Sequence, residues 1–433
     1  MEEILSKAKK VAEQAEVFQV NSRRTPLKFE ANQLKQVQTK ESSSTALRLI
    51  KDGRIGFAQV AGEANPDTLV QMALETCKFG AIAMFEFPGA EKYPPVEIYD
   101  PLIEKFTIDE MVQLGAGLID TVKMHTPDIV CEASVSKGTA SVHILNSNGG
   151  EAKYEKSFFS LGIEGVVVHG SDMLFVGDGQ SSCHPLVDSK TLSDEVILQL
   201  ELARNTVTSA TQTMPVIFKP NGVASALISP LIMALNGKTV FMGASPLKDK
   251  LGTQLFDSTL TLWDDATVPY QVASCPCDDE GVPGQRMPLI ERGVVSNFFY
   301  DLQTAGLANT KSTGNGSRGG GLPSPSTNSL IIDEGSVSFS DMVADIKQGL
   351  VVEQLMGATQ GNVLNGDFSG NVLLGYKIEN GKIVGRVKDT MVSGNIYQLL
   401  KQVKAIGSDT RWVDGYLKTP SICCARVSVA TEA

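Results

Sequence analysis

The chain has 433 residues, of which 42% are hydrophobic and 20% are charged, and this length predicts two or three domains with cores of their own. Its 38 lysines and arginines stand against 49 aspartates and glutamates, so the formal net charge is −11. A surface that tracks nucleic-acid phosphates needs clustered cations and is therefore not expected. The seven scattered cysteines, the absence of a signal-peptide core and the absence of a long apolar run predict a reduced, cytoplasmic protein without a membrane span.

The first 125 residues alternate between helical and strand periodicity. Apolar spacing predicts helices over 2–14 and 66–83, with period-two strands between them. Asp52 and Gly53 separate two alternating runs, which is a strong signal for a hairpin with a type I′ turn. A proline-rich connector over 85–101 leads to a further helix, which Thr107 is placed to cap.

Residues 129–170 alternate between apolar and polar side chains, and this pattern predicts three or four antiparallel strands. Turns are expected at Lys137 and Gly138 and again at 148–150, where glycine and asparagine favour a reversal of the chain. A helix is predicted over 192–210 with Ser193 as its cap. Helices mixed with antiparallel strands indicate an α+β domain over 1–210.

The second half, 211–433, is predicted to be a mainly β domain that contains one buried helix, so the overall class is α+β. A short apolar strand at 214–219 precedes GVASALISPLIMALN, which is apolar nearly all round. We expect this segment to be a buried helix that is kinked or broken early at Pro230 and ended by Gly237.

Three consecutive carboxylates, Asp278, Asp279 and Glu280, precede a glycine in a turn-rich stretch. Like charges this close repel unless water, backbone N–H groups or a cation compensates them. One interpretation is a solvated turn, followed by a hairpin with its bend at 291–293 and a mobile glycine-rich loop at 312–321. The other is that backbone N–H groups or a cation hold the carboxylates, with Arg286 as the candidate nearest in sequence.

Three sequence blocks carry a family resemblance. In chain order they are ALRLIKDGRIGFAQV, then DDEGVPGQRMPLIERGVV with STGNG after it, and finally NGDFSG with GYKIENGKIVGRVKDTMVSGN after it. Together they resemble the TldD/TldE (PmbA) family of metallopeptidases and their metal-free partners, once called modulators of DNA gyrase. The acidic composition gives the gyrase label no support.

In the active subunits of that family, one helix carries His-Glu-x-x-x-His, whose histidines bind zinc and whose glutamate activates water. The resemblance places these positions at Ile228, Ser229 and Met233. Isoleucine has no donor atom, serine is no base at neutral pH, and a thioether is a poor zinc ligand. The cysteine ligand of the active subunits is also missing from 414–420. The resemblance therefore implies the metal-free TldE/PmbA branch, with no cofactor in this chain and zinc in a partner subunit.

Other chemistry leaves weaker signals in the sequence. The four histidines form neither H-x-x-x-H nor H-E-x-x-H, and the pairs Cys183 with His184 and Cys275 with Cys277 are better interpreted as loop residues than as a metal site. Gly-x-Ser-x-Gly is absent, so a serine hydrolase is not indicated. The glycine-rich segment 314–321 lacks the Lys-Ser/Thr ending of a phosphate-binding loop.

The resemblance thus implies a non-catalytic subunit of a zinc metallopeptidase that processes small or unfolded peptides. Its partner would be a TldD-like zinc-bearing chain or a second copy of itself, and we expect a homodimer when the chain is expressed alone. The alternatives are a stand-alone homodimeric peptide-binding or scaffold protein and, third, a metallopeptidase that is active by itself. The expected peptide cleft or dimer interface includes Asp278, Asp279, Glu280, Gly281, Asn315 and Gly316.

Overall fold

A computed structural model describes residues 1–431, and its N-terminal half is built on one seven-stranded antiparallel sheet. The strands, in chain order, are β1 (Gln14–Glu30), β2 (Gln33–Val37), β3 (Lys40–Lys51), β4 (Arg54–Ala61), β5 (Val130–Asn146), β6 (Glu151–His169) and β7 (Asp172–Ser182). Their order across the sheet is β4-β3-β1-β5-β6-β7, with β2 paired to β1. Antiparallel sheet mixed with helices confirms the predicted α+β class.

Two groups of helices cover one face of this sheet. The helices are α1 (Glu2–Ala8), α2 (Pro66–Cys77), α3 (Leu102–Lys105), α4 (Ile108–His125) and α5 (Lys190–Leu202). Helices α1 and α2 pack over Val17, whereas α4 and α5 pack over Leu27, further along the same strand. The predicted cap of α4 is confirmed, because the Thr107 hydroxyl accepts from the Glu110 N–H while the Glu110 carboxylate accepts from the Thr107 N–H. Every helix among the described residues is too short or too polar to span a bilayer.

The C-terminal half contains one large sheet and two smaller ones. The strands, in chain order, are β8 (Thr206–Val207), β9 (Gln212–Phe218), β10 (Leu262–Asp265), β11 (Arg286–Glu291), β12 (Val294–Val295), β13 (Gly316–Ser317), β14 (Ser324–Pro325), β15 (Ser329–Ile332), β16 (Gln348–Met356), β17 (Asp367–Glu379), β18 (Lys382–Val387), β19 (Thr390–Asn395), β20 (Val403–Ile406), β21 (Arg411–Val413), β22 (Leu417–Thr419) and β23 (Ile422–Thr431). The large sheet has eight strands, and pairing of β16 with β17 closes five of them, β16-β9-β23-β19-β17, into a ring. A six-stranded sheet, β12-β11-β10-β15-β22-β21, lies beside it, and β13 pairs with β14.

Short helices connect these strands. They are α6 (Pro220–Val223), α7 (Ser229–Leu235), α8 (Gly237–Phe241), α9 (Leu302–Leu307), α10 (Phe339–Ala344) and α11 (Ile396–Leu399), with a 3-10 turn at Val363–Asn365. The predicted buried helix is present as α6 and α7, joined by a π-helical turn at Ala224–Ile228. Pro230 lies in the first turn of α7, where a helix needs no backbone donor. The helix ends at Leu235 as expected, but Gly237 starts α8 rather than a loop.

Several local predictions in the N-terminal half are wrong. The helices expected over 2–14, 66–83 and 192–210 are shorter in the structure, at Glu2–Ala8, Pro66–Cys77 and Lys190–Leu202. Residues 129–170 form two long strands, and Lys137 and Gly138 lie inside β5 rather than at a turn. A Cβ at Gly138 would lie 2.3 Å from the Arg23 carbonyl oxygen, so glycine is needed there for the close approach of β1. Ser193 lies within α5, which begins at Lys190, and its hydroxyl donates to the Lys190 carbonyl instead of capping the helix.

The predicted hairpin turns are confirmed. Asp52 and Gly53 have φ angles of 50° and 70°, and Arg292 and Gly293 have φ angles of 47° and 78°. Positive φ at both central residues is the condition for a type I′ turn, which matches the twist of the flanking strands. These turns join β3 to β4 and β11 to β12.

Candidate functional site

The helix that follows β9 carries the three positions at which the resemblance expects a zinc motif. Ile228 ends the π turn, is only 1% exposed and belongs to the largest core cluster. Its side chain therefore points into the protein. Ser229 and Met233 lie on the more exposed side of the helix, where Met233 is 44% exposed.

Ser229 and Met233 contribute to a groove of about 640 Å³ between α7 and the segment 359–364. The groove is lined by Ser229, Ile232, Met233, Thr359, Gly361, Asn362, Val363 and Leu364. The lining combines apolar side chains with two hydroxyl groups, one amide and a glycine. This lining suits an extended, uncharged stretch of peptide, which combines apolar side chains with backbone hydrogen-bonding groups.

The groups on this helix do not fit a zinc ion. Zinc in peptidases is held by imidazole, carboxylate or thiolate groups, and positions 228, 229 and 233 offer a hydrocarbon, a hydroxyl and a thioether. Among residues 1–431, no three His, Cys, Asp or Glu side chains converge in a metal-binding arrangement. Burial raises the pKa of the Cys183 thiol to about 11 and that of Cys275 to about 12, so both remain protonated at neutral pH.

The acidic turn is buried rather than solvated. Asp278 is 5% exposed and Glu280 is 0% exposed. The Asp278 carboxylate accepts bonds from the N–H groups of Glu280 at 2.9 Å, Val282 at 2.9 Å and Gly316 at 2.8 Å. These donors replace the lost water, so Asp278 organises the turn from within. The interpretation as a solvated turn is therefore wrong.

Glu280 lies at the end of a buried chain of charges, which we call the Arg48 network. Glu280 Oε1 accepts from Arg48 Nη1 at 2.5 Å, and Glu280 Oε2 accepts from the Leu302 N–H at 2.7 Å, where α9 begins. Arg48 Nη2 donates to Glu16 Oε2 at 3.1 Å, and Glu16 Oε1 accepts from the guanidinium of Arg318. Two carboxylates and two guanidiniums thus alternate from β1 and β3 to the acidic turn and the glycine-rich loop. The network joins the N-terminal sheet to the C-terminal half.

Aromatic rings cover both guanidiniums of the network. Arg48 Cζ lies 4.8 Å from the ring centre of Phe85 and 4.9 Å from that of Phe87. Arg318 Cζ lies 5.0 Å from the ring of Phe18. These stacks exclude water and add cation–π attraction, so they strengthen the ion pairs that they cover.

Asp279, Asn315 and Gly316 attach the glycine-rich loop to the acidic turn. Asp279 Oδ2 accepts from the Arg318 N–H at 2.7 Å, and the Asp279 N–H donates to the Gly316 carbonyl at 2.9 Å. Asn315 Nδ2 donates to Asp264 Oδ2 at 2.6 Å. The Arg318 side chain is only 5% exposed, so this part of the loop is anchored to the body of the protein.

Burial shifts the pKa values of the charged groups in and around the acidic turn. Burial raises the pKa of Glu280, against the effect of Arg48, and burial together with the charge of Glu280 raises the pKa of Asp278. Burial lowers the pKa of Arg318 and raises that of Asp264 to about 6. Each buried charge is therefore stabilised by the guanidinium, carboxylate or N–H groups that contact it, because an isolated buried charge costs several kcal/mol.

The cation that pairs with the acidic turn is not the one nearest in sequence. Arg286 stacks on the Trp263 ring at 4.4 Å and lies 3.7 Å from Asp265. The partner of Glu280 is Arg48, which lies 232 residues earlier in the chain. Its only signal in the sequence is an arginine between two leucines in an apolar strand. The residues of the acidic turn come together through this network, and none of them lines the groove beside α7.

Comparison with known proteins gives two family-model matches, the PmbA/TldA metallopeptidase C-terminal domain over residues 211–431 and domain 1 over residues 15–77. An uncharacterized protein of Methanocaldococcus jannaschii is 26% identical to the chain, over 98% of both sequences. A protein of Methanothermobacter thermautotrophicus named a metalloprotease is 25% identical, over 93% of this chain and 90% of that protein. The crystal structure of TldE from Thermococcus kodakarensis superposes with a TM-score of 0.91 at 25% identity and covers 99% of both chains.

Proposed function

Because this chain belongs to the PmbA/TldD metallopeptidase family, we propose that it is the non-catalytic, metal-free subunit of a TldD/TldE-type zinc peptidase that processes small or unfolded peptides. In this proposal the zinc, the ligands and the base belong to a partner chain of the same family. This chain completes the assembly and offers a peptide-binding surface beside α7. The similarity to TldE over 99% of the chain supports this assignment.

The observation that carries the proposal is the set of side chains on one helix. Ile228 is packed in the core, and Ser229 and Met233 face a groove without offering an imidazole or a carboxylate. The whole segment 226–235 reads ALISPLIMAL, so a shift of the alignment by one or several residues supplies no ligand either. A catalytic zinc needs about three such ligands and an open position for water.

The groove beside α7 supports a second candidate, a stand-alone peptide-binding protein. Its lining residues suit an uncharged, extended segment whether or not a zinc-bearing partner is present. The two candidates differ in one consequence. A subunit changes the activity of its partner, whereas a stand-alone binder holds peptide and leaves the partner unaffected.

The test is to purify the untagged chain, measure its zinc content and assay casein cleavage alone and with a relative that carries His-Glu-x-x-x-His. We expect no stoichiometric zinc in the chain and no cleavage by the chain alone. The relative should cleave casein faster when this chain is present than when it is absent. The triple variant Ile228→His, Ser229→Glu, Met233→His is the matched control. The variant should bind zinc only weakly or fail to bind it, because the third ligand is absent and the surrounding residues are not built to orient imidazole.

Two outcomes would contradict the proposal. One zinc per chain together with chelator-sensitive cleavage would place this chain among the active peptidases. A relative whose cleavage rate and stability are unchanged by this chain, although the chain binds peptide by itself, would favour the stand-alone binder.

A further inference from the structure

Six exposed apolar side chains lie on three neighbouring elements, and we call this surface the apolar ridge. Large apolar side chains exposed in one contiguous area are uncommon on monomers and mark binding surfaces. The members and their exposed fractions are Phe79 (91%), Ile82 (60%), Met84 (47%), Phe241 (48%), Met242 (69%) and Leu307 (38%).

The first part of the ridge is fixed to α9. The Gln303 side-chain amide donates to the Ile82 carbonyl at 2.9 Å, and its oxygen accepts from the Met84 N–H at 2.9 Å. A Cβ at Gly306 would lie 1.7 Å from the Met84 carbonyl oxygen, so α9 packs directly on the segment 82–84. Ile82 and Met84 therefore lie beside the C-terminal end of α9, whose last residue is Leu307.

The second part of the ridge is on α8, which packs against α9. The Gly237 N–H donates to the Phe299 carbonyl at 2.9 Å, and a Cβ at Gly237 would lie 2.2 Å from the Tyr300 ring. These contacts fix the start of α8 next to the segment that leads into α9. Its far end presents Phe241 and Met242 to solvent.

The area of the ridge suits a protein partner. The six exposed fractions together equal about three and a half whole residues, or roughly 700 Å² at ~200 Å² for each large side chain. The largest apolar patch on a typical monomer is ~300–600 Å², and a standard protein interface buries ~800 Å² on each partner. The ridge alone would account for most of one such face.

The charges around the ridge indicate what kind of partner fits. The segments 237–253 and 302–311 carry four exposed lysines and one acidic residue, a local charge of +3 on a chain whose formal net charge is −11. Two copies that met through this face would bring like charges together, which disfavours pairing. A matching face therefore has an apolar centre and an acidic rim. The lysines are Lys238, Lys248, Lys250 and Lys311.

We propose that the apolar ridge and its lysine rim are the docking face for the zinc-bearing family member, whose matching face is apolar with acidic residues at its edge. This inference depends on the function proposed above. An anionic membrane is the other surface that attracts apolar residues ringed by lysines. The protein partner is favoured because α8 has only five residues, too few for an amphipathic helix that lies in a bilayer surface.

The test measures the dissociation constant of the full-length chain with the zinc-bearing relative, at low and high salt. Phe241→Asp with Met242→Asp should weaken binding by about tenfold or more, because hot-spot side chains carry most of an interface's affinity. Lys238→Glu with Lys311→Glu should slow association and reduce its dependence on salt. Met124→Asp is the matched control, since Met124 is 78% exposed at the end of α4, and it should leave binding unchanged. Circular dichroism checks that the variants are folded.

The outcomes separate this inference from the proposed function. If the wild-type chain binds the relative and the ridge and rim variants bind equally well, the docking face is wrong and the proposed function stands. If the wild-type chain does not bind the relative, the proposed function fails and the docking face fails with it. Co-flotation of the wild type, but not of the ridge variant, with phosphatidylcholine–phosphatidylserine vesicles would identify a membrane surface instead and overturn the inference.

Discussion

The Arg48 network should be the part of the molecule most sensitive to a single side-chain change. Replacing Arg48 by methionine keeps an unbranched apolar stem but removes the guanidinium, with its charge and its donors. Glu280 would then lose its only guanidinium partner, although it keeps the Leu302 N–H, and Glu16 would keep only Arg318. Both glutamates are 0% exposed, so water cannot replace the lost donors.

The size of the effect follows from that geometry. Breaking a buried ion pair by removing one partner costs about 3–5 kcal/mol, because the other charge stays buried without compensation. We expect Arg48→Met to lower the free energy of unfolding by about that amount. Adding Glu280→Gln to Arg48→Met should recover part of the loss, because the uncompensated charge is removed as well.

Denaturant unfolding followed by tryptophan fluorescence and circular dichroism measures this difference. Arg23→Met is the matched control, because Arg23 lies on β1, the strand paired with β3, but its ion pair with Glu41, at 3.4 Å, is largely exposed. Such surface pairs contribute about 0–1 kcal/mol. If Arg48→Met destabilised the protein no more than Arg23→Met, the buried network would not hold the two halves together.

Two further substitutions test the contacts around the acidic turn and the glycine-rich loop. Gly316→Ala should destabilise by about 1–3 kcal/mol, because its Cβ would lie 2.4 Å from Glu280 Oε2, and Gly319→Ala, with nothing within 4 Å, is the control in an unfolding assay. Asp264 has a pKa raised to about 6 by burial, so its contribution to stability is complete below about pH 4 and is lost as the pH rises through 6. The unfolding free energy of wild type minus that of Asp264→Asn should therefore fall by up to about 3 kcal/mol from pH 4 to pH 7, at ~1.4 kcal/mol per unit of pKa shift, and a flat difference would refute the assignment.

Local features of this fold were predictable because they depend on neighbouring residues only. The turn at Asp52 and Gly53 needs positive φ, and the cap at Thr107 needs a hydroxyl and a glutamate three residues later. The prediction failed at Gly138, where the reason for glycine lies on another strand. Within a single sequence, a glycine that permits a turn and a glycine that permits a close approach look the same.

The amino-acid sequence by itself determined the chemistry of the helix at 226–235, because no arrangement of its side chains supplies an imidazole or a carboxylate. It also carried the family resemblance, since motif identity does not depend on contacts. Only the tertiary structure decided that the acidic turn is buried and that Glu280 pairs with Arg48 from 232 residues away. The physical reason is that a carboxylate's partner is chosen by proximity in space, and many cations satisfy the same charge requirement until the chain is folded. The apolar ridge likewise exists only in the folded chain, where α9 contacts both α8 and the segment that contains Ile82 and Met84.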